Sequence, residues 1–117
     1  MNIKFFNLAK QIAANSPSRF KIGTVIVHKN SIISVGWNDM TRTHPRSNSP
    51  FNYLHSEIHA LIKSGRKQLK GSDVYIFRRL KNGNPACSKP CLHCYKALID
   101  SGISNIYYTE ENGFNQI

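Results

Sequence analysis

Two cysteines in the last third of the chain have the type and spacing of metal ligands. Cys91 and Cys94 are separated by two residues, directly after Pro90 and before a segment with helical apolar periodicity. On a helix, both sulfurs project from the first turn on the same side. The partial positive charge of a helix N-terminus favours the thiolate, which is the form that binds a metal. We therefore expect a metal site at the start of this helix.

A histidine upstream, His55, can supply the third protein ligand that the two cysteines need. Two thiolates do not complete a zinc site, and His55 stands at the expected start of another helix. One imidazole, two thiolates and a water give a four-coordinate zinc with one exchangeable position. This arrangement is typical of catalytic zinc rather than of structural zinc.

The composition fits one globular domain in a reducing compartment. The chain has 117 residues, of which 40% are hydrophobic and scattered too widely for a membrane span. Residues 1–7 lack the long apolar run and the small-residue cleavage site of a signal peptide, so we expect a cytoplasmic protein. The three cysteines are an odd number, and two form Cys-x-x-Cys, which favours metal binding over disulfides.

The strong positive charge indicates two classes of partner. Sixteen basic and six acidic residues give a net charge of +10. Such a balance favours phosphate-bearing partners, either nucleotides or nucleic acid, although solubility alone also accounts for it.

Apolar periodicity and turn residues predict alternating helices and strands. Phe5, Leu8, Ala9 and Ile12 follow helical spacing, and Lys29-Asn30 fits a two-residue hairpin turn because Asn tolerates positive φ. We expect a first helix over residues 2–14, a second that starts at about His55 and is stopped by Gly65, and a third over 92–99. We expect strands over 22–28, 31–36, 74–77 and 106–108, a long loop over 37–53, and a short polar tail.

The order of these elements predicts where the site lies. Helices alternate with strands after the first hairpin, so the later strands should pair in parallel. Both metal-bearing helices then begin at the carboxyl edge of the strands, where open α/β sheets place their sites.

The paired motifs resemble those of a known superfamily. His55-Ser56-Glu57 followed by Pro90-Cys91-Leu92-His93-Cys94 has the pattern His-x-Glu and Pro-Cys-x-x-Cys of zinc base deaminases. The chain resembles the cytidine deaminase-like superfamily, nearest its CMP/dCMP-type branch. Residues 23–27 and 32–38 resemble the family's first hairpin, and residues 101–111 resemble the segment after the cysteines in dCMP deaminases. The resemblance covers about residues 5–111.

The resemblance implies both a fold and a reaction. The fold is an α/β, three-layer α/β/α sandwich in a minimal form, with a mixed sheet that starts with an antiparallel hairpin and continues with parallel strands. Residues 1–117 form a single CMP/dCMP-type deaminase domain. The enzyme would use Zn²⁺ to convert the cytosine of a (deoxy)nucleotide such as dCMP to uracil with release of ammonia, and would act as a homo-oligomer.

The resemblance also assigns roles to single residues. Glu57 would be the catalytic residue, accepting a proton from water and delivering protons to the ring nitrogen and the leaving amine. The metal ligands would be His55, Cys91 and Cys94. The substrate would contact Asn38, the backbone N–H of Ser56, Pro90 and, through its phosphate, Arg42 and Arg46, with Lys89 as a further candidate.

The chain departs from the family pattern at three places. Ser56 stands where members usually have Ala, which keeps a small residue between the His and the Glu. Residues 81–89 interrupt the usual direct passage from strand to Pro-Cys and should reshape the pocket rim. The sequence also shows no sign of the further helix and strand of larger members after the fourth predicted strand.

Several alternatives remain open from the sequence. Cys87 and His93 would complete a structural zinc site in a non-enzymatic nucleic-acid-binding module, although we interpret Cys87 as a buried thiol. His55 and His59 have the i, i+4 spacing of metalloproteases, but Ser56 replaces their Glu, so His59 is interpreted as a pocket or core residue. A Cys–His nucleophile pair is a further alternative.

A different substrate is the last alternative. Residues 55–61 with Trp37-Asn38 faintly resemble tRNA adenosine deaminases, which implies as the alternative substrate a cytidine or adenosine of tRNA or of single-stranded nucleic acid. The aromatic residues fall largely on expected core positions, which leaves no obvious stacking platform for such a strand.

Overall fold

A computed structural model describes residues 1–39, 54–65 and 69–117 of the chain. No helix within these ranges is long and apolar enough to cross a membrane. The elements in chain order are α1 (Ile3–Ala13), β1 (Lys21–His28), β2 (Ser31–Trp37), α2 (Ser56–Lys63), β3 (Asp73–Arg79), β4 (Pro85–Ala86), α3 (Leu92–Asp100), β5 (Asn105–Glu110) and β6 (Gly113–Gln116).

The strand β1 lies inside the sheet, with a neighbour on each side, as its apolar composition predicts. It pairs antiparallel with β2 on one side and with β3 on the other. The β1–β2 connection is the predicted two-residue turn, with Lys29 at φ 49° and Asn30 at φ 64°. Positive φ at both central residues gives a turn whose twist matches that of the flanking strands.

The later strands confirm one prediction and correct another. The parallel pair that we expected forms between β3 and β5. The chain end is not the polar tail that we expected, because β6 pairs antiparallel with β5. The ring of Phe114 stacks on buried Phe6 with centroids 4.2 Å apart, and this contact anchors a strand that is otherwise polar. The two-residue strand β4, which lies within the interrupting segment 81–89, pairs with β3.

The helices lie on both faces of the sheet and form the three layers expected from the resemblance. The helix α1 packs against residues of one face in a cluster of Phe5, Phe6, Ala9, Val25, Val27, Tyr75, Phe77 and Tyr107. The opposite face packs against α2 and α3 through Ile26, Ala60, Leu69, Val74, Ile76, Leu98, Ile103, Ile106 and Tyr108. Alternation along β1 therefore sends Val25 to one layer and Ile26 to the other.

The strand directions place two helix starts at one edge of the sheet. Because β1 is antiparallel to both β2 and β3, those two strands run in the same direction. The helix α2 follows β2 in the chain, and α3 follows β3 and β4. Both helices thus begin near the carboxyl edge, which is the predicted location of the site.

A glycine allows α2 to approach the sheet closely. A Cβ atom on Gly36 would lie 2.4 Å from the backbone nitrogen of Ala60 and 2.6 Å from the carbonyl oxygen of Ser56. Both contacts are to helix backbone, which cannot rotate away as a side chain can. The backbone of α2 therefore rests directly on β2, and any side chain at this position would lift it.

We predict that Gly36→Ala destabilises the protein by about 1–3 kcal/mol, the usual cost of forcing extra volume into a packed interior. It should also weaken zinc binding, because the displaced helix carries His55 at its start. Denaturant unfolding and a zinc titration measure the two effects.

The control is Gly65→Ala, where a Cβ would have no atom within 4 Å. It should cost only about 1 kcal/mol, since Gly65 has φ 67°, and it should leave the zinc affinity unchanged. Equal zinc affinity in both variants would contradict the role assigned to the close packing.

Candidate active site

The three expected metal ligands lie together, although 36 residues separate His55 from Cys91. The Nδ1 atom of His55 is 3.2 Å from the sulfur of Cys94 and 3.8 Å from that of Cys91. The ligand atoms of the three residues all lie within 4.8 Å of one another. His55 and Cys91 are the N-cap residues of α2 and α3, and Cys94 lies in the first turn of α3.

These distances fit a zinc ion. Zn–N and Zn–S bonds of roughly 2.0 and 2.3 Å at a tetrahedral angle separate the nitrogen from each sulfur by about 3.5 Å. The observed distances of 3.2 and 3.8 Å bracket this value. One imidazole and two sulfurs are also a donor set that zinc prefers, and they leave a fourth position for another ligand.

Burial controls the protonation of the site before a metal binds. It raises the pKa of the Cys94 thiol far above its ordinary value, and the nearby Glu57 carboxylate raises this pKa further. The expected effect of the helix N-terminus is thus outweighed by desolvation at Cys94. Burial also lowers the pKa of His55, which outweighs the opposite effect of Glu57 and favours the neutral imidazole that binds metals.

Glu57 lies beside the metal ligands and is not one of them. Its side chain is 5% exposed, so it is not turned toward bulk solvent. Its carboxylate acts electrostatically on both His55 and Cys94, which places it next to the ligand group. This is the position that a proton-transfer group needs, close to the fourth coordination position and free of the metal.

Two buried hydroxyl groups connect Glu57 to the centre of the sheet. The hydroxyl of Ser56 donates a hydrogen bond to Oε1 of Glu57, with the oxygens 2.7 Å apart. Oγ1 of Thr24, on β1, lies 2.8 Å from the same Ser56 oxygen. Thr24 is fully buried and Ser56 is 1% exposed, so this chain of groups is shielded from water.

A cavity of about 340 Å³ opens next to this group. Its charged lining residues within the described ranges are one acid, Glu57, and two bases, Arg78 and Lys89. The volume is at the lower end of the range for small-molecule sites. The described lining residues are Phe20, Ile22, Asn38, His55, Ser56, Glu57, Arg78, Cys87, Ser88, Lys89 and Cys91.

The cavity is lined by an aromatic–guanidinium pair, Phe20 and Arg78, which the sequence analysis did not predict. The guanidinium carbon of Arg78 lies 4.8 Å from the ring centroid of Phe20. Phe20 is 50% exposed, so it is an exception to the expectation that the aromatic residues lie largely in the core. Arg78 lies near the end of β3 and Phe20 just before β1, and the antiparallel pairing of these strands brings the two together. The sequence feature that could have identified them is their position: Phe20 lies just before the first predicted strand and Arg78 directly follows the third, at the edge of the sheet where the site was expected.

Asn38 lines the cavity and also organises the backbone around it. Its Oδ1 accepts from the backbone N–H of Ile22 at 2.9 Å, and its Nδ2 donates to the carbonyl of Phe20 at 2.6 Å. Nδ2 carries a second hydrogen that these contacts do not use. The side chain thus fixes the entry to β1, and the substrate contact expected of Asn38 stays a prediction.

A buried hydroxyl pair fixes the segment that leads to the cysteines. The hydroxyl of Ser88 donates to the carbonyl of Ile76 at 2.8 Å and lies 2.9 Å from Oγ1 of Thr109. Thr109 in turn donates to the carbonyl of Ala86 and accepts from the backbone of Arg78. The inserted segment 81–89 is therefore tied to β3 and β5, and its last residues line the cavity.

The structure argues against the alternative ligand sets. The group of metal-binding side chains found among the described residues comprises His55, Cys91 and Cys94, without Cys87, His93 or His59. Nδ1 of His59 lies 3.1 Å from the backbone nitrogen of Trp37, and the two rings meet edge to face. His59 is half-buried against Trp37, and its interpretation as a pocket or core residue stays a prediction. Cys87 is exposed, so its interpretation as a buried thiol is wrong.

Three expected substrate contacts are not part of the observed cavity lining. Arg42 and Arg46 lie outside the described residues, as does most of the long loop. Pro90 is partly buried between Lys89 and Cys91 and is not among the described lining residues. Its role in substrate binding stays a prediction.

Comparison with known proteins gives a family match over most of the chain. The model described as the cytidine and deoxycytidylate deaminase zinc-binding region matches residues 1–110. The chain is 29% identical over 117 residues to an uncharacterized deaminase in the luxG 3′ region of Aliivibrio fischeri, covering 92% of this chain and 71% of that protein. It is 27% identical over 120 residues to a probable deoxycytidylate deaminase of Caenorhabditis elegans, covering 92% of this chain and 56% of that one. It is also 33% identical over 87 residues to a tRNA-specific adenosine deaminase of Buchnera aphidicola, covering 74% and 46%.

Solved structures show the same fold. The apo dCMP deaminase of cyanophage S-TIM5 superposes with a TM-score of 0.68 at 23% identity, covering 92% of this chain and 81% of that one. The complex of that enzyme with dCMP and dUMP gives a TM-score of 0.60 at 26% identity, with coverages of 91% and 76%.

We predict that zinc binding strengthens by at least about tenfold per pH unit between roughly pH 6.5 and 8, because protons compete with the metal for the ligands. The Cys94 pKa is raised, so this thiol must lose its proton when zinc binds throughout that range. The His55 pKa is lowered, so the imidazole is already neutral there and releases little. Competition titrations with a chromophoric chelator at several pH values measure the slope.

The cysteine variants give the matched control. Cys94→Ser should abolish tight binding of one zinc per chain, whereas Cys87→Ser should retain it, since Cys87 lies outside the ligand group. A pH-independent affinity, or loss of zinc in Cys87→Ser, would contradict this ligand assignment.

Proposed function

Because the chain belongs to the cytidine and deoxycytidylate deaminase family, we propose that it is a zinc-dependent hydrolytic deaminase of the cytosine base in a nucleotide such as dCMP. The products are the corresponding uracil nucleotide and ammonia. The observation that carries this proposal is the convergence of His55, Cys91 and Cys94 beside Glu57, which is buried and not a ligand.

The proposed chemistry divides between the metal and the protein. Zinc held by His55, Cys91 and Cys94 would lower the pKa of a bound water, which makes a nucleophile available at neutral pH. Glu57 accepts the proton that this water loses as its oxygen bonds to C4 of the base. Glu57 would pass this proton to N3, then take the second proton from the hydroxyl now on C4 and deliver it to the amine, so that the C4–N bond breaks, ammonia leaves and C4 becomes the carbonyl of uracil. Addition of water and loss of ammonia balance the reaction.

The start of α2 supplies a donor for the base. Ser56 is the first residue of that helix and lines the cavity. Backbone N–H groups in the first turn of a helix have no partner within the helix. This supports the role that the resemblance gives to the Ser56 N–H, which is to bind the carbonyl oxygen of the pyrimidine.

The basic residues of the cavity support a phosphate-bearing substrate. Arg78 stacks on Phe20, and within the described ranges its guanidinium has no ion pair with a carboxylate. Lys89 lines the same cavity and is exposed. An unpaired guanidinium at a cavity favours a phosphate, which it binds with two parallel hydrogen bonds. We infer that Arg78 and Lys89 bind the 5′-phosphate of the nucleotide.

A nucleic-acid substrate is the second candidate. The identity to a tRNA-specific adenosine deaminase and the net charge of +10 favour it. The exposed Phe20 ring offers one stacking position for a base at the cavity. Ammonia release from dCMP, CMP, cytidine, single-stranded oligonucleotides and tRNA separates the candidates, since activity on polymers alone would remove the free-nucleotide proposal. The homo-oligomer implied by the resemblance remains a prediction for either substrate.

We predict that Glu57→Gln lowers kcat by about 10²–10⁴-fold, the usual contribution of a positioned proton-transfer group. Gln keeps the size of the side chain and cannot accept the proton, so the zinc content should remain near one ion per chain. Steady-state ammonia release and metal analysis measure both quantities. Full activity in this variant would reject the role of Glu57.

We predict that Arg78→Gln lowers kcat/KM for dCMP by about 10–100-fold, because a charge-assisted phosphate contact is lost. Activity on deoxycytidine, which has no phosphate, should change little. The measurement is the ratio of the two kcat/KM values.

The matched control for this variant is Arg79→Gln, which removes the same charge from the next residue. Arg79 is not among the cavity-lining residues, and its guanidinium donates to the carbonyl of Lys10 on α1. An equal fall in the dCMP to deoxycytidine ratio for both variants would indicate a general charge effect and would reject the Arg78 contact.

A further inference from the structure

We propose that Thr24 and Ser56 form a positioning relay that holds the Glu57 carboxylate in the orientation needed for proton transfer. This inference rests on the proposed deaminase function and adds two residues to it. Thr24 lies on β1, Ser56 begins α2, and Glu57 follows it. The relay therefore links a strand that is paired on both sides to the group proposed to move protons.

The direction of the two hydrogen bonds follows from counting hydrogens. The Ser56 hydroxyl has a single hydrogen, and it donates this hydrogen to Oε1 of Glu57. With that hydrogen used, Ser56 is the acceptor in its 2.8 Å contact with Thr24. Thr24 consequently donates to Ser56, and Ser56 donates to Glu57.

The anchor of this relay is rigid. Thr24 pairs with Gly36 of β2 on one side and with Ile76 of β3 on the other, so its backbone is fixed from both sides. Its side chain is fully buried, and a β-branched residue has few rotamers at χ1. Gly36, opposite Thr24, is also where α2 approaches the sheet most closely, which brings Ser56 within reach.

Glu57 needs such an anchor because its side chain has three rotatable bonds and must act at one place. The hydrogen bond to Oε1 fixes the plane of the carboxylate while Oε2 carries no contact with the relay. We assign Oε2 to the proton that leaves the water. The bond to a charged acceptor is also stronger than a neutral one, and burial strengthens it further.

The relay predicts a loss of kcat without a loss of binding. Ser56→Ala keeps the backbone N–H and the neighbouring His55, so zinc content, KM and affinity for the product dUMP should be unchanged. We expect kcat to fall about tenfold, as for loss of one hydrogen bond to a charged group. Thr24→Val, which removes only the second hydroxyl, should give a smaller fall in the same direction.

A binding measurement gives a readout that does not depend on turnover. A ring-hydrated pyrimidine nucleotide analogue resembles the transition state and should bind much more tightly than dUMP. If the relay positions Glu57, the affinity for this analogue should fall by the same factor as kcat in Ser56→Ala, while dUMP affinity stays constant.

The control is Ser34→Ala. The Ser34 hydroxyl is buried and donates to the carbonyl of Ala60 at 2.8 Å, so it also ties α2 to the sheet, but away from Glu57. This variant should lower the unfolding free energy by about as much as Ser56→Ala, roughly 1 kcal/mol, and should leave kcat unchanged.

The outcomes separate the two proposals. Absence of turnover of every cytosine compound by the unaltered protein would overturn both the function and the relay. Normal turnover with unchanged kcat in Ser56→Ala and Thr24→Val would overturn the relay alone. A fall of kcat in Ser34→Ala equal to that in Ser56→Ala would likewise overturn it, because loosening of α2 would then be the cause.

Discussion

The close packing of α2 on the sheet fixes the half of the site that holds His55 and Glu57. Gly36 lets the helix backbone rest on β2, and the helix start then carries His55 to within 3.2 Å of the Cys94 sulfur. The cysteines are set independently by the segment that Ser88 ties to β3 and β5. The three-residue ligand group therefore depends on two separately anchored helix starts meeting at one edge of the sheet.

A bound metal would also offset unfavourable local interactions in the folded chain. His55 and Cys91 occupy N-cap positions where Ser, Thr, Asp or Asn would satisfy backbone donors, and neither side chain makes a cap hydrogen bond. Glu57 and Cys94 are both buried, and the carboxylate opposes ionisation of the thiol. A divalent cation offsets this repulsion and stabilises the thiolate, so part of the free energy of metal binding is spent on these local costs. Local sequence preferences are thus violated where the chemistry requires it.

The sequence predicts those features that depend on local pattern and misses those that depend on distant pairing. The hairpin turn at Lys29-Asn30, the helices and the ligand group follow from spacing and residue type, and the structure confirms them. The strand β6 was missed because its residues are mostly polar, and it is held by pairing with β5 and by Phe114 on Phe6. Cys87 was taken as buried on general frequency, but the short strand β4 ends before it and leaves it at the cavity.

The residues proposed to carry out the reaction and those proposed to determine the substrate come from different parts of the fold. The metal ligands and Glu57 lie at or next to helix starts, where a short motif specifies both residue type and geometry. Phe20, Asn38 and Arg78 come from strand ends, where residues separated by tens of positions meet only because β1 runs against β2 and β3. A motif search therefore recognises the chemistry of this family more readily than its substrate. Because strand ends can change without disturbing the ligand group, the same helix pair can serve relatives named for different substrates.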